Sequence, residues 1–185
     1  MLPSLPQYTD SLTVLNTLAQ RQRVGTLTGD MLLGGAPLGH DFQKKIGFCE
    51  QMDIHDESST IKEAFEFSAL LRQPATVSKD EKIAYAKNVL EMLELTELQD
   101  AIIWSLPLEQ KKRTTIGVEL CAKPTSLLFL DEPTSGLDGQ GAVNILNLLR
   151  RLSAAGQSIL CTIHQATQEQ FTLVRYILLH GLSGC

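Results

Sequence analysis

The sequence has no apolar run approaching the roughly 18 residues needed to cross a bilayer, so no segment of it reads as a transmembrane helix. Met1-Leu2-Pro3-Ser4 lacks the charged and apolar parts of a signal peptide. Basic residues are outnumbered, 16 Lys and Arg against 21 Asp and Glu. A net charge of −5 gives no polyanion-binding surface and disfavours a nucleic-acid partner. Cysteines are few and scattered: Cys49, Cys121, Cys161 and Cys185, three of them in apolar segments. They read as small core residues in a reducing compartment, with neither disulfide nor metal-ligand spacing. Heptads, internal repeats and low-complexity stretches are missing too.

What remains is an ordinary globular composition, 43% hydrophobic and 20% charged over 185 residues. That is enough for one domain with a real core and too little for two. Residues 1–10 carry Pro3 and Pro6 and read as an irregular start. Leu12, Val14, Leu15 and Leu18 suit a short helix from Ser11 to about Gln22, and the glycine-dense stretch 25–38 suits a hairpin. Lys45 to Cys49 is a strand candidate. Thr60 with Glu63, and Ser78 with Glu81, are capping-box patterns. The first opens a helix with Ile61, Ala64, Phe65 and Leu71 on its apolar face, ended by Pro74. The second opens one with Ile83, Ala86, Val89, Leu90 and Leu93. A third helix is expected from about Glu109 to Ala122, closed by Pro124.

The most informative stretch is Leu127 to Asp138, LLFLDEPTSGLD. A buried-strand run, Leu127-Leu128-Phe129-Leu130, ends in two adjacent acids, Asp131 and Glu132, and then in Pro133, which cannot donate to a sheet ladder. A bare acidic pair at a strand end admits two readings. One is an acidic turn that meets solvent. The other is a Walker B element, in which the first acid holds Mg²⁺, usually through water, and the second polarises the water that attacks a γ-phosphate. Further on, Asp138 is placed to cap a helix with Ala142, Ile145, Leu146, Leu149 and Leu152 on one face and Gly156 just past its end. Ser158 to Ile163 is another strand candidate, ending in His164. A last helix around Thr167 to Val174 leads to a strand at Tyr176 to Leu179. Strands alternating with helices predict a parallel α/β sheet, with ligand chemistry at the carboxyl ends of its strands.

The continuation Thr134-Ser135-Gly136-Leu137-Asp138 decides between the two readings. DEPTSGLD resembles the Walker B and D-loop of ABC-type ATPases. TIKEAFEFSALLRQPATVS, TIGVELCAKPTSLLFLDEPTSGLD and GQSILCTIHQ are similar, over long spans, to the second nucleotide-binding domain of fungal pleiotropic-drug-resistance transporters, which are ABCG-like. The resemblance implies a P-loop NTPase (RecA-like) fold: a parallel sheet flanked by helices, with a helical signature subdomain at about 59–122 and the catalytic core at 123–185. The whole of 1–185 then reads as a single partial domain. In the family the cofactor is Mg-ATP, and the partners are a transmembrane domain and a second nucleotide-binding domain at the cytoplasmic face of a membrane.

Residue by residue, the resemblance makes Glu132 the general base and His164 the switch histidine that contacts the γ-phosphate. Asp131 becomes the Mg²⁺ ligand, and Gln51, in the loop GFCEQ, the Q-loop glutamine that reaches Mg²⁺ through water. Ser135 and Asp138 extend the nucleotide-facing surface through the D-loop. Leu106-Pro107-Leu108-Glu109-Gln110 occupies the signature position, with Glu109 and Gln110 toward the partner's nucleotide. The serine and glycine pair usual at that position are absent from it. The other departure lies at the front. A phosphate loop needs Gly-x-x-x-x-Gly-Lys-Ser/Thr, for close backbone approach, charge neutralisation and a metal-binding hydroxyl. Ser4 to Leu12 aligns with that loop and contains no glycine and no lysine, and Asp10 adds a negative charge. The phosphate-loop strand is missing from the expected fold, which leaves a neighbouring strand unpaired. The same residues therefore support an alternative, a truncated non-catalytic remnant acting as an interaction module.

Overall fold

The computed structural model describes residues 11–22, 26, 28–51, 58–164 and 167–174. The expected irregular start, the stretch aligned with the phosphate loop up to Asp10, and the strand at Tyr176 to Leu179 lie outside them.

Three strands form the sheet that positions the site: β3 (Gly47–Cys49), β4 (Leu127–Leu130) and β5 (Ser158–Cys161), all parallel, with β4 in the centre. The register puts Cys49, Leu130 and Cys161 in one row. β4 is apolar on both faces because both are covered: Leu128, Phe129 and Leu130 are buried. A separate hairpin, β1 (Leu32–Leu33) and β2 (Ala36–Pro37), turns through Gly34 and Gly35, both at positive φ as a tight turn requires.

Ahead of it, α1 (Ser11–Leu18) is shorter than the sequence pattern suggests, and the chain leaves it through Gln20 at φ +56°. Leu15 and Ala19 pack with Phe42, Ile46 and Phe129 on one face of the sheet.

The other face meets the main core, built by α2 (Ile61–Arg72), α3 (Lys79–Met92), α4 (Leu108–Cys121) and α5 (Gly139–Ala154). Both expected capping boxes form. Thr60 accepts the Glu63 amide while Glu63 accepts the Thr60 amide, and Ser78 and Glu81 do the same. The buried face of α2 is Ile61, Phe65, Ser68 and Ala69. Leu71, expected on that face, lies instead on the outer side at 68% exposure. Ten residues beyond Ile61, at about 100° per residue, the helix has rotated it well away from the core stripe.

Helices α2 and α4 cross so closely at Gly117 that a Cβ there would overlap the Phe65 ring and stand 2.7 Å from Leu93 Cδ1. Lys82, itself buried, ends α2 by donating to the carbonyls of Leu70 (3.3 Å) and Gln73 (3.0 Å). Helix α4 then runs against β3. Glu119 accepts the Phe48 amide at 2.9 Å and grips Arg72 of α2 with both oxygens, while Cys49 Sγ donates to the Thr115 carbonyl.

Asp138 caps α5 as expected, accepting the Gly141 amide at 2.8 Å, and Gly156 stands just past its end at φ +102°. After β5 comes α6 (Gln168–Leu173), opened by a third capping box, Thr167 with Gln170. Full burial of Leu128, Leu130, Ile145 and Leu148 contributes about 1.5–3 kcal/mol per side chain.

Candidate functional site

The chemistry-bearing residues follow from the sheet register. Because Cys49, Leu130 and Cys161 are level, the residues just beyond them emerge together at one end of the sheet. The ladder continues one step past the strands: the Asp131 amide donates to the Cys49 carbonyl at 2.9 Å, and the Thr162 amide to the Leu130 carbonyl at 3.0 Å. Asp131 is thereby held at 6% exposure.

Glu132 follows at φ +46°, a left-handed conformation that costs a non-glycine residue about 1–2 kcal/mol. Pro133 next to it disfavours the right-handed helical alternative. The Ser135 amide donates to the Glu132 carbonyl at 3.0 Å and closes the turn. This turn aims the Glu132 carboxylate between two neighbours. Gln51 Nε2 donates to Glu132 Oε2 at 2.8 Å and reaches Ser135 Oγ at 3.3 Å. His164 Nε2 stands 3.5 Å from the other oxygen, Oε1. Gln51, Asp131, Glu132, Ser135 and His164 are thus brought together from three segments.

One participant went unnoticed in the sequence. Thr162 Oγ1 donates to Asp131 Oδ1 at 2.8 Å and accepts the Glu132 amide at 2.8 Å, so a single hydroxyl fixes both acids. The available signal was its place beyond a strand that aligns with Leu130, a relation visible only once the register is known.

Glu109, Gln110 and Asp138 are not brought into this cluster: their contacts lie elsewhere. The Glu109 carboxylate accepts from Arg113 Nε at 3.1 Å, from a second nitrogen of the same guanidinium at 2.9 Å, and from Asn144 Nδ2 at 3.2 Å. Gln110 Oε1 is buried without a hydrogen-bond partner among the described residues. Asp138 spends Oδ1 on its own helix.

Among the described residues no three His, Cys, Asp or Glu side chains converge as a metal cage. Asp131 with the hydroxyl of Ser135 and the amide oxygen of Gln51 is a hard, oxygen-donating set carrying one full charge. Such a set suits Mg²⁺, which keeps several waters and takes further oxygens from phosphate. At the sheet end Gln51 and His164 are exposed beside the buried Asp131. A cleft of about 570 Å³ lies elsewhere, between α1, β3 and α4, lined by Asn16, Gln20, Arg21, Phe48, Arg72 and Glu119. Its only acid, Glu119, is already paired with Arg72, so the paired-acid chemistry belongs to the sheet end.

Residues 12–135 match the family described as "ABC transporter". The chain belongs to the ABC transporter family. It is 62% identical over 165 residues to the ABC multidrug transporter atrF of Aspergillus fumigatus, an alignment covering 88% of this chain and 11% of that protein. It is 52% identical over 176 residues to the Brefeldin A resistance protein of Schizosaccharomyces pombe, covering 93% and 12%. This ABC-family chain therefore spans about a tenth of the length of the curated relatives it matches. Among solved structures, cbiO1 of Clostridium perfringens, part of the ABC transporter complex cbiONQ, superposes with a TM-score of 0.73. That match has 25% identity over 83% of this chain and 62% of the other. The fold is that of a P-loop NTPase, and the ABC-family chain is homologous to the ATP-binding domains of fungal multidrug exporters.

Proposed function

We propose that this chain supplies the water-activating half of an ATP site in a drug-exporting ABC transporter. The observation that carries the reading is the Glu132 carboxylate, bracketed by Gln51 at 2.8 Å and His164 at 3.5 Å beside the buried Asp131. In this reading Glu132 is the general base: it accepts the proton of a water held at Oε1 or Oε2 as that water attacks the γ-phosphorus. The Gln51 amide steers the carboxylate, and His164 would donate a hydrogen bond to a γ-phosphate oxygen. Asp131, with Gln51 and Ser135, would hold Mg²⁺, which neutralises phosphate charge when bound. The partners are a transmembrane domain and a second nucleotide-binding domain, with the chain at the cytoplasmic face of the membrane.

A second reading, a non-catalytic remnant, is favoured by one sequence fact: Ser4 to Leu12 offers neither glycine nor lysine for phosphate contact. Calorimetry with Mg-ATP, with Glu132→Gln as comparison, separates the two. Micromolar binding supports the ATP-site reading and eliminates the remnant. No binding at millimolar nucleotide overturns the first reading for this chain and leaves an interaction role.

A further inference from the structure

Among the described residues two lysines are buried, Lys82 and Lys112, each 6% exposed. A buried ammonium has to be met by acceptors, and both donate to backbone carbonyls. The purpose of Lys82 is local, since its two carbonyls belong to the end of α2. Lys112 does something different. It reaches from the second turn of α4 to the carbonyl of Gln51 at 2.5 Å, across 61 residues of sequence. We propose that Lys112 is the positioning residue of this site, holding the Gln51 backbone so that its amide meets Glu132. The proposal rests on the reading of Glu132 as the water-activating base.

One face of α4 faces β3 and the segment that follows it. Lys112, Thr115 and Glu119 lie three and four residues apart, which puts them on one stripe of the helix. In order they hold residues 51, 49 and 48: the Gln51 carbonyl, the Cys49 thiol and the Phe48 amide. The last two contacts lie inside the strand, where the ladder to β4 already fixes the backbone. Gln51 lies beyond the last paired residue, Cys49, and has no ladder partner among the described residues, so the Lys112 contact orients its peptide plane. Charge assistance makes it a strong one. The orientation of that plane sets the direction of the Gln51 Cα–Cβ bond, and from there the amide spans to Glu132 Oε2 at 2.8 Å and Ser135 Oγ at 3.3 Å. Because α4 also carries Arg113, whose guanidinium holds Glu94 and Glu109, a displacement of α4 is passed through Lys112 to the carboxylate.

The test is nuclear magnetic resonance on the full chain without nucleotide, with wild type, Lys112→Met and Lys112→Arg. The expected result is a cross-relaxation peak between the Gln51 side-chain amide protons and the Glu132 Hγ protons in wild type and Lys112→Arg. It is lost in Lys112→Met while the Phe48 amide resonance, bonded to Glu119, stays in place. A merely structural lysine would move the second readout with the first. Persistence of the Gln51–Glu132 peak in Lys112→Met at wild-type intensity overturns the proposal. Should Lys112→Met fail to fold, the wild-type ammonium itself decides. Its protons are expected to exchange with water at least ten-fold more slowly than those of the exposed Lys44, and equal exchange overturns the proposal. None of these readouts depends on nucleotide, so failure of Mg-ATP to bind would leave them intact and count only against the reading of the site.

Discussion

The Thr162 hydroxyl donates to Asp131 Oδ1 at 2.8 Å, and the same oxygen accepts the amide of Glu132. One side chain just past the end of β5 therefore sets both the rotamer of the first acid and the backbone of the second. Thr162→Val keeps the shape and removes the hydroxyl, leaving a buried carboxylate oxygen and an amide without their partner. The expected loss of stability is about 1–3 kcal/mol, with Thr162→Ser recovering most of it. Urea denaturation of the three proteins checks this, and a valine variant as stable as wild type would contradict it.

Glu94 bridges two helices. Its carboxylate takes Arg151 of α5 at 2.6 Å and Arg113 of α4 at 2.7 Å. Those hydrogen bonds, Arg151's foremost and then Arg113's, hold its pKa at about 2, below the usual 4.5. A depressed carboxylate stabilises the fold above its unfolded pKa, and that contribution is lost as the pH falls from about 4.5 toward 2. The side chain is 53% exposed, so solvent screening limits each ion pair to about 1 kcal/mol or less. Glu94→Gln should thus be less stable than wild type at neutral pH by that order. The gap should close on acidification through this window and shrink with added salt. A gap that stays constant with pH would assign the effect to packing.

At Gly117 the α2–α4 crossing leaves no room for a methyl group. A Cβ there would overlap the Phe65 ring and come within 2.7 Å of Leu93 Cδ1. Phe65 and Leu93 are both fully buried, so neither has space to retreat. Gly117→Ala should cost about 1–3 kcal/mol by overpacking, against the small gain alanine usually brings to a helix. Thermal unfolding should fall by several degrees; an unchanged or raised midpoint would mean that the helices separate freely.

Among the described residues β5 pairs only with β4, and burial falls from three buried residues of four in the central strand to half-buried positions with Ser158 exposed. Unpaired strand edges recruit other chains. The isolated protein should therefore associate as concentration rises, and Ser158→Lys, which places a charge at that edge, should suppress it. Light scattering over a dilution series measures both, and a monomer at every concentration would refute the edge as a contact.

What the sequence made legible depended on distance along the chain. Thr60 with Glu63 and Ser78 with Glu81 sit three residues apart, so their reciprocal bonds follow from local geometry alone. LLFLDEPTSGLD announced a strand end because run, acids and proline are contiguous. Gln51 and His164 could be placed near Glu132 only with the help of the family resemblance. Thr162, Lys112 and Arg151 were not legible, because each meets a partner 31, 61 or 57 residues away across elements whose register no local pattern encodes. Lys112 stood in a Lys-Lys-Arg run that looks like a solvated face, and burial was the one property that distinguished it. Leu71 erred the other way: an apolar residue near a helix end looked inward and faces out.

The pairing of β3 with β4 also has a consequence for the order in which the protein comes into being on the ribosome. Gly47 finds its partner in Leu128, so the strand leading to Gln51 must wait for some eighty further residues, roughly 4–16 s at ordinary translation speeds. During that interval α2, α3 and α4 are synthesised, and α4, whose Glu119 and Thr115 meet β3 in the finished fold, is completed only shortly before β4. A pause in elongation between α4 and β4 would lengthen that exposure, and codon changes there should alter yield without changing a single residue.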